Sequence, residues 1–181
     1  MKGRSLHNHP LFWEPDREFE RFNEWAEPKV FAFGDMDILE ERHLGQIAEN
    51  YFRCAEVLID RVLDNDIEDF VAQFPIIYLI RHAMEVMLKR IIMAQTGKPA
   101  GNEHSLHKLL NHVSGIEPWA QRRIQEIGAL DPRSVALRYG GVGERAPAFI
   151  GTELRFFHDA MRTLFDHLRD FAEASERKVA S

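Results

Sequence analysis

The chain reads as an all-α protein, an up-and-down bundle of helices preceded by an aromatic-rich arm. Three observations lead there. Apolar side chains recur at three- and four-residue spacing over most of residues 37–174, the pattern of helices with one buried face. Breakers are sparse, with 11 Gly and 8 Pro in 181 residues. Phe (13) far outnumbers Tyr (3), and no convincing run of alternating polar and apolar residues marks a sheet.

Residues 1–34 form the arm and 35–181 the helical domain. Pro10, Pro15 and Pro28 interrupt the arm, yet Phe12, Trp13, Phe19, Phe22, Trp25, Phe31 and Phe33 make it too aromatic to stay in water. Such an arm packs on its own domain or on a neighbouring subunit, with a short helix expected near Asp16–Trp25 behind Pro15. From about Asp37 to Leu63, the residues Leu44, Ile47, Ala48, Tyr51, Ala55, Leu58, Ile59 and Val62 build one amphipathic face. Asp64, Asn65 and Asp66 then stop that helix. The next, about Ile67 to Thr96, is apolar nearly all round and belongs in the middle of a bundle; Pro75 sits at a kink or near a delayed start. Gly97, Pro99 and Gly101 end it. A short helix over about Ser105–Val113 follows, then one that starts at Pro118 and runs to Leu130. Residues 131–148 read as a loop opened by a helical turn or a small strand. The last helix, about Ile150–Ala174, carries Leu154, Phe157, Met161, Leu164, Phe165, Leu168 and Phe171 on one face.

Composition excludes several classes. A single cysteine, Cys54, rules out an internal disulfide framework and a zinc site of several thiolates. The N-terminus lacks the apolar run of a secretory signal, and no apolar stretch reaches the ~18 residues that span a bilayer. A cytoplasmic protein without a membrane partner is expected. The net charge of −6 is unevenly spread. Residues 1–80 hold 8 Lys/Arg against 17 Asp/Glu, whereas residues 81–145 hold 10 against 6. A basic middle on an acidic frame can build a local site for an anion, or can simply be solvated surface.

The central helix carries a polar stripe. At about 100° per residue, Arg81, Glu85, Tyr78, Lys89 and His82 fall within one quadrant. Glu85 stands four residues from both Arg81 and Lys89, so its carboxylate can bridge two cations. The stripe is a solvent face, a buried network that ties helices together, or a ligand site built on Arg81, Glu85 and Lys89.

The run FPIIYLIRHAMEVMLKRIIMAQTG, followed by EHSLHKLL and DPRSVALRYG, resembles the HEPN superfamily. The Arg-His-x-x-Glu-x-x-x-Lys signature of HEPN-like bacterial proteins corresponds here to Arg81, His82, Glu85 and Lys89. Their His-x-Leu segment corresponds to His104 or His107, and their Arg-Tyr pair to Arg138 and Tyr139. The resemblance implies a homodimeric helical bundle, in many relatives a metal-independent ribonuclease of toxin–antitoxin, phage-defence or RNA-processing systems, and in others non-catalytic. It implies RNA and an antitoxin or other protein as partners, and no cofactor. Active members carry Arg-x(4–6)-His, because cleavage by the RNA's own 2′-hydroxyl needs a proton shuttle and a cation against the phosphorane. Arg162 and His167 fit that spacing, but on a straight helix they stand about 140° apart and share a site only through a kink or across a dimer. Arg138 is an alternative phosphate-binding residue; His82 and His158 are alternative proton carriers. Arg155, His158 and Arg162 share one edge of the last helix, where they can meet the Arg81 stripe across the bundle.

His104 and His107, with Glu103 and His112 nearby, have a spacing that metals use, but neither HExxH nor CxxC is present and no metal is assigned. Gly140, Gly141 and Gly143 form a flexible lid or a plain connection, not a phosphate-binding Walker loop. Two functions therefore compete: a metal-independent endoribonuclease or RNA-binding protein, and a non-catalytic dimeric module that binds a protein or nucleotide partner.

Overall fold

The computed structural model describes residues 41–139 and 151–179. The arm over 1–34, its expected helix near Asp16–Trp25 and the glycine-rich stretch 140–150 lie outside the described residues. Within them the protein is an all-α bundle: α1 (Glu41–Leu63), α2 (Asp69–Thr96), α3 (Leu106–Asn111), α4 (Pro118–Leu130), a 3₁₀ turn (Ala136–Tyr139) and α5 (Leu154–Val179). No described residue is in a strand, so residues 131–139 open with a helical turn and not with a strand.

α2 is the axle of the bundle. It packs against α1, α3, α4, α5 and the 3₁₀ turn. Met84, Met87, Leu88 and Ile91 are fully enclosed, with Ile59 of α1, Leu106 and Leu109 of α3, Ile124 of α4 and Leu164 and Phe165 of α5 around them. Phe52 and Phe165 stack across the core with ring centroids 4.2 Å apart. One 18-residue window of α2, of mean hydropathy 1.2, is long and apolar enough to cross a bilayer, against the expectation that no stretch reaches that measure. Here 56% of that window is buried inside the protein, as a central core helix requires.

Helix ends follow local chemistry. Asn65 (φ 60°) turns the chain after α1, and the Arg61 guanidinium holds Asp66 at 2.6 Å. α2 continues through Pro75 without a break. Gly97 closes α2 in the left-handed region (φ 66°), its N–H donating to the Met93 carbonyl. Ser105 caps α3, and Pro118 occupies the first turn of α4. The largest departure from the periodicity is α5, which starts at Leu154 and not near Ile150. Glu153 sets that start by accepting hydrogen bonds from the Arg155 and Phe156 amides, which hold its carboxyl below the ordinary range. The helix also outlasts its apolar pattern: Glu176, in its last turns, receives two hydrogen bonds from Arg90 of α2, at 2.6 and 2.9 Å.

Candidate functional site

The polar stripe divides into parts with different fates. Arg81 is 1% exposed, and its guanidinium donates in four directions. Nε reaches the Asp131 carbonyl at 3.2 Å, one terminal nitrogen reaches Glu85 Oε2 (3.1 Å) and Ser134 Oγ (2.9 Å), and the other reaches the His104 carbonyl (2.6 Å). One side chain thereby ties α2 to the loop before α3 and to the loop after α4. Glu85, its side chain 2% exposed, gives its second oxygen to Lys89 Nζ at 3.1 Å and to His104 Nδ1 at 2.8 Å. Burial pushes the Glu85 carboxyl up, but hydrogen bonds from His104, Lys89 and Arg81 together with the Lys89 charge outweigh it and hold it below its usual value.

Asp131 completes the network from the other side. Its carboxylate accepts from the amides of Val135, Ala136 and Leu137 and so caps the 3₁₀ turn. Ser134 (φ 58°) adopts the left-handed conformation, and Arg138 donates to its carbonyl. The DPRS segment thus acts as a cap, as a proline-led turn suggests, but its carbonyl and hydroxyl also satisfy a buried arginine. Of the three arrangements open to the stripe, the structure has the buried network. Arg81 and Glu85 are almost fully buried, with their polar groups engaged within the fold. Outward-facing groups here are His104, its side chain 59% exposed, and Arg138; His107 is also exposed, on α3. His104 turns onto Glu85, and no group of three His, Cys, Asp or Glu able to hold a metal ion occurs among the described residues.

His82 leaves the network despite its place beside Arg81. It stands edge-on to Tyr51 of α1 (4.4 Å) and parallel to Tyr78 (6.0 Å), and burial pulls its pKa below the ordinary value. The side chain of Tyr139 lies outside the described residues.

The histidine and arginine residues of α5 separate onto two flanks. Arg162 turns to α1 and forms an ion pair with Glu56, whose same oxygen lies 3.4 Å from His158 Nε2. His167 turns to α4, packing on Trp119 (5.0 Å) with its Nε2 shielded from solvent and without a hydrogen-bond partner among the described residues. Within one chain Arg162 and His167 are therefore not brought together, since α5 runs unbroken between them. The histidine that shares a partner with Arg162 is His158. The α5 edge also does not reach the Arg81 network, whose members among the described residues come from α2 and the loops at His104 and Asp131–Ser134.

Glu56 was not among the residues singled out by sequence, although a signal for it existed. Glu49 and Glu56 are seven apart on α1, as are Arg162 and Arg169 on α5, and the pairs form in antiparallel order, Glu49 with Arg169 (3.6 Å) and Glu56 with Arg162. Heptad-spaced opposite charges on two helices predict such a seam. The two rungs are unlike. Arg169 is also engaged by Asp166 at 2.9 Å, whereas the Glu56 rung adds a histidine and leaves the Arg162 side chain 53% exposed. Arg155 continues that edge, exposed and without a side-chain hydrogen bond among the described residues.

Carboxylate, imidazole and guanidinium thus meet at the α1–α5 seam, partly open to solvent. Chemically this is a proton acceptor, a proton donor and a cation within one cluster. No family model matches the chain, and neither a curated protein nor a solved structure matches it, so the HEPN resemblance rests on the quoted motifs alone.

Proposed function

We propose that the protein binds RNA along α5 and cleaves it without a metal ion, in the cytoplasmic toxin–antitoxin or phage-defence setting that the HEPN resemblance implies. The observation that supports this reading is the convergence of His158 and Arg162 on one oxygen of Glu56. RNA cleavage by transesterification requires a base for the 2′-hydroxyl, an acid for the departing 5′-oxygen and a cation against the phosphorane. In the proposed reaction Glu56 takes the 2′-hydroxyl proton, the 2′-oxygen attacks phosphorus, and the P–O5′ bond breaks as protonated His158 gives its proton to the leaving oxygen. Arg162 balances the charge on the phosphoryl oxygens, and Arg155 holds a neighbouring phosphate. The products are a 2′,3′-cyclic phosphate and a 5′-hydroxyl. Proton return from Glu56 to His158 across their contact resets the site.

The second reading is a non-catalytic dimeric module that binds a protein or nucleotide partner. It is favoured by the burial of Arg81 and Glu85, whose polar groups are engaged within the fold.

The test is cleavage of a labelled, partly single-stranded RNA in EDTA. Glu56→Gln and His158→Ala are expected to lower the rate by about 10²- to 10⁴-fold. Arg162→Ala should act similarly, while His167→Ala keeps activity. Cyclic-phosphate ends made by wild type and lost in those variants support the reading. Absence of cleavage by wild type, or equal cleavage by all variants, overturns it and leaves the binding module.

A further inference from the structure

We propose that the hollow between α4 and α5 is a nucleobase subsite for single-stranded RNA, with a preference for guanine; this rests on the reading that α5 receives RNA. The hollow is shallow, about 220 Å³, and is lined by Trp119 and Arg123 of α4 and by Phe156, Asp159, Ala160 and Thr163 of α5. Phe156 is 60% exposed although the fold gives it no core to fill. Trp119 is fixed at its edge, its indole N–H bonded to Glu117 at 2.7 Å, with the His167 ring packed against it at a tilt, 5.0 Å between centroids. Two anchored or helix-borne π surfaces over the small Ala160 side chain suit a flat ring, and aromatic platforms hold successive bases of single strands without needing their backbone geometry.

The placement relative to the α1–α5 cluster is the second argument. At about 100° per residue, Arg155, Asp159, Thr163 and Phe156 follow one another within about 100° around α5, and Arg162 and His158 continue on the other side of Arg155. The hollow and the cluster are thus adjacent strips of one exposed helix surface. Phe156 and Arg162 are six residues apart, about 9 Å along the axis. A strand whose phosphate lies at Arg162 and Arg155 would carry its base across the helix edge towards Phe156.

Charge supplies the third argument. Arg122 and Arg155 are exposed on the two flanking helices, and neither side chain makes a hydrogen bond or ion pair among the described residues. Both are free to take phosphates. Arg123 at the rim is held at 2.6 Å by Glu126. The Asp159 carboxylate likewise has no partner among the described residues, although its backbone carbonyl accepts from Thr163. A carboxylate that only accepts matches the adjacent ring N–H and amino donors of guanine, while adenine offers one amino group and a ring acceptor.

The experiment uses the full chain and a 2′-O-methyl single strand of about ten nucleotides with one central guanine, beside the same strand with adenine. Binding is read by anisotropy and by tryptophan quenching, and cleavage of an unmodified strand is followed in parallel. Phe156→Ser is expected to weaken binding by about tenfold or more and to raise KM with kcat within about twofold. Asp159→Asn should erase the guanine preference. Thermal melts and light scattering accompany both variants. If wild type cleaves RNA but Phe156→Ser binds as wild type does, the subsite is wrong and the ribonuclease reading stands. If wild type neither binds nor cleaves, the ribonuclease reading fails and the subsite with it. If Phe156→Ser dissociates a dimer without changing RNA affinity, the hollow is a self-interface and the proposal is overturned.

Discussion

Arg81 illustrates how a buried charge becomes a structural part. Taken out of water alone it would be prohibitively costly. Here a carboxylate, a hydroxyl and two backbone carbonyls receive its donors, and one of those carbonyls belongs to the buried Asp131. Arg81→Leu leaves Glu85 Oε2 and the two loop carbonyls without their donor, while Lys89 and His104 still hold Oε1, so a loss of about 3–5 kcal/mol is expected in urea denaturation. Arg81→Lys should rescue little, because one ammonium cannot reach three directions in a plane. A loss below about 1 kcal/mol for Arg81→Leu would show that the network does not hold the two loops. The stripe itself was legible from the i,i+4 spacing. What spacing could not show was that the DPRS loop, fifty residues on, would fill the remaining valences.

Among the elements, α2 shows how a helix tolerates a proline near its start. Pro75 cannot donate to the Val71 carbonyl, but Phe70 and Val71 are exposed, so that acceptor is not sealed in the core and the helix runs on. Its other end depends on Gly97, whose φ of 66° is strained for any residue with a Cβ. A Cβ there would meet nothing within 4 Å, so Gly97→Ala isolates the backbone term. It should cost about 1 kcal/mol by equilibrium unfolding, with no change in any side-chain contact. A neutral result would mean that the cap relaxes to another conformation. The apolar pattern predicts α5 as an amphipathic helix but starts it four residues early and ends it five residues short. Both errors have one cause. The ends are decided by Glu153 capping and by the Arg90–Glu176 pair, polar contacts that leave no mark on the apolar pattern.

For the whole molecule, the two shifted groups on α2 make stability depend on acidity in one direction. The folded protein lowers the pKa of His82, by burial, and that of Glu85, where the hydrogen bonds and charges outweigh burial. Both groups therefore bind protons less readily in the folded state than in the unfolded chain, and stability rises with pH. The His82 contribution is complete above about pH 6.5 and is lost as pH falls through its lower folded value. The Glu85 contribution is complete above about pH 4.5 and is lost below that. The groups that act on His82 are Glu85, Lys89, Arg81 and His104, and its neighbours in space are Tyr51 and Tyr78. A two-stage fall in Tm on acidification is expected by circular dichroism. His82→Phe should remove the upper stage and Glu85→Gln the lower, the latter with reduced stability at neutral pH as well. A wild-type Tm that stays flat between about pH 7 and pH 5 would rule out the His82 part.

The sequence by itself determined the class, the helix order and the identity of the central helix, because apolar periodicity reports which side of each helix must leave water. It also marked the stripe on α2 and the edge Arg155–His158–Arg162 on α5. Tertiary structure alone decided which of these face solvent and which residues share a partner. His158 and Glu56 are 102 residues apart, and their meeting depends on how α5 is rotated against α1. Periodicity gives an angle around one helix axis and carries no information on what stands opposite. Hence Arg162 and His167, close in sequence and matched to a familiar spacing, look to α1 and α4, while Glu56 meets His158 and Arg162 only when the bundle is assembled.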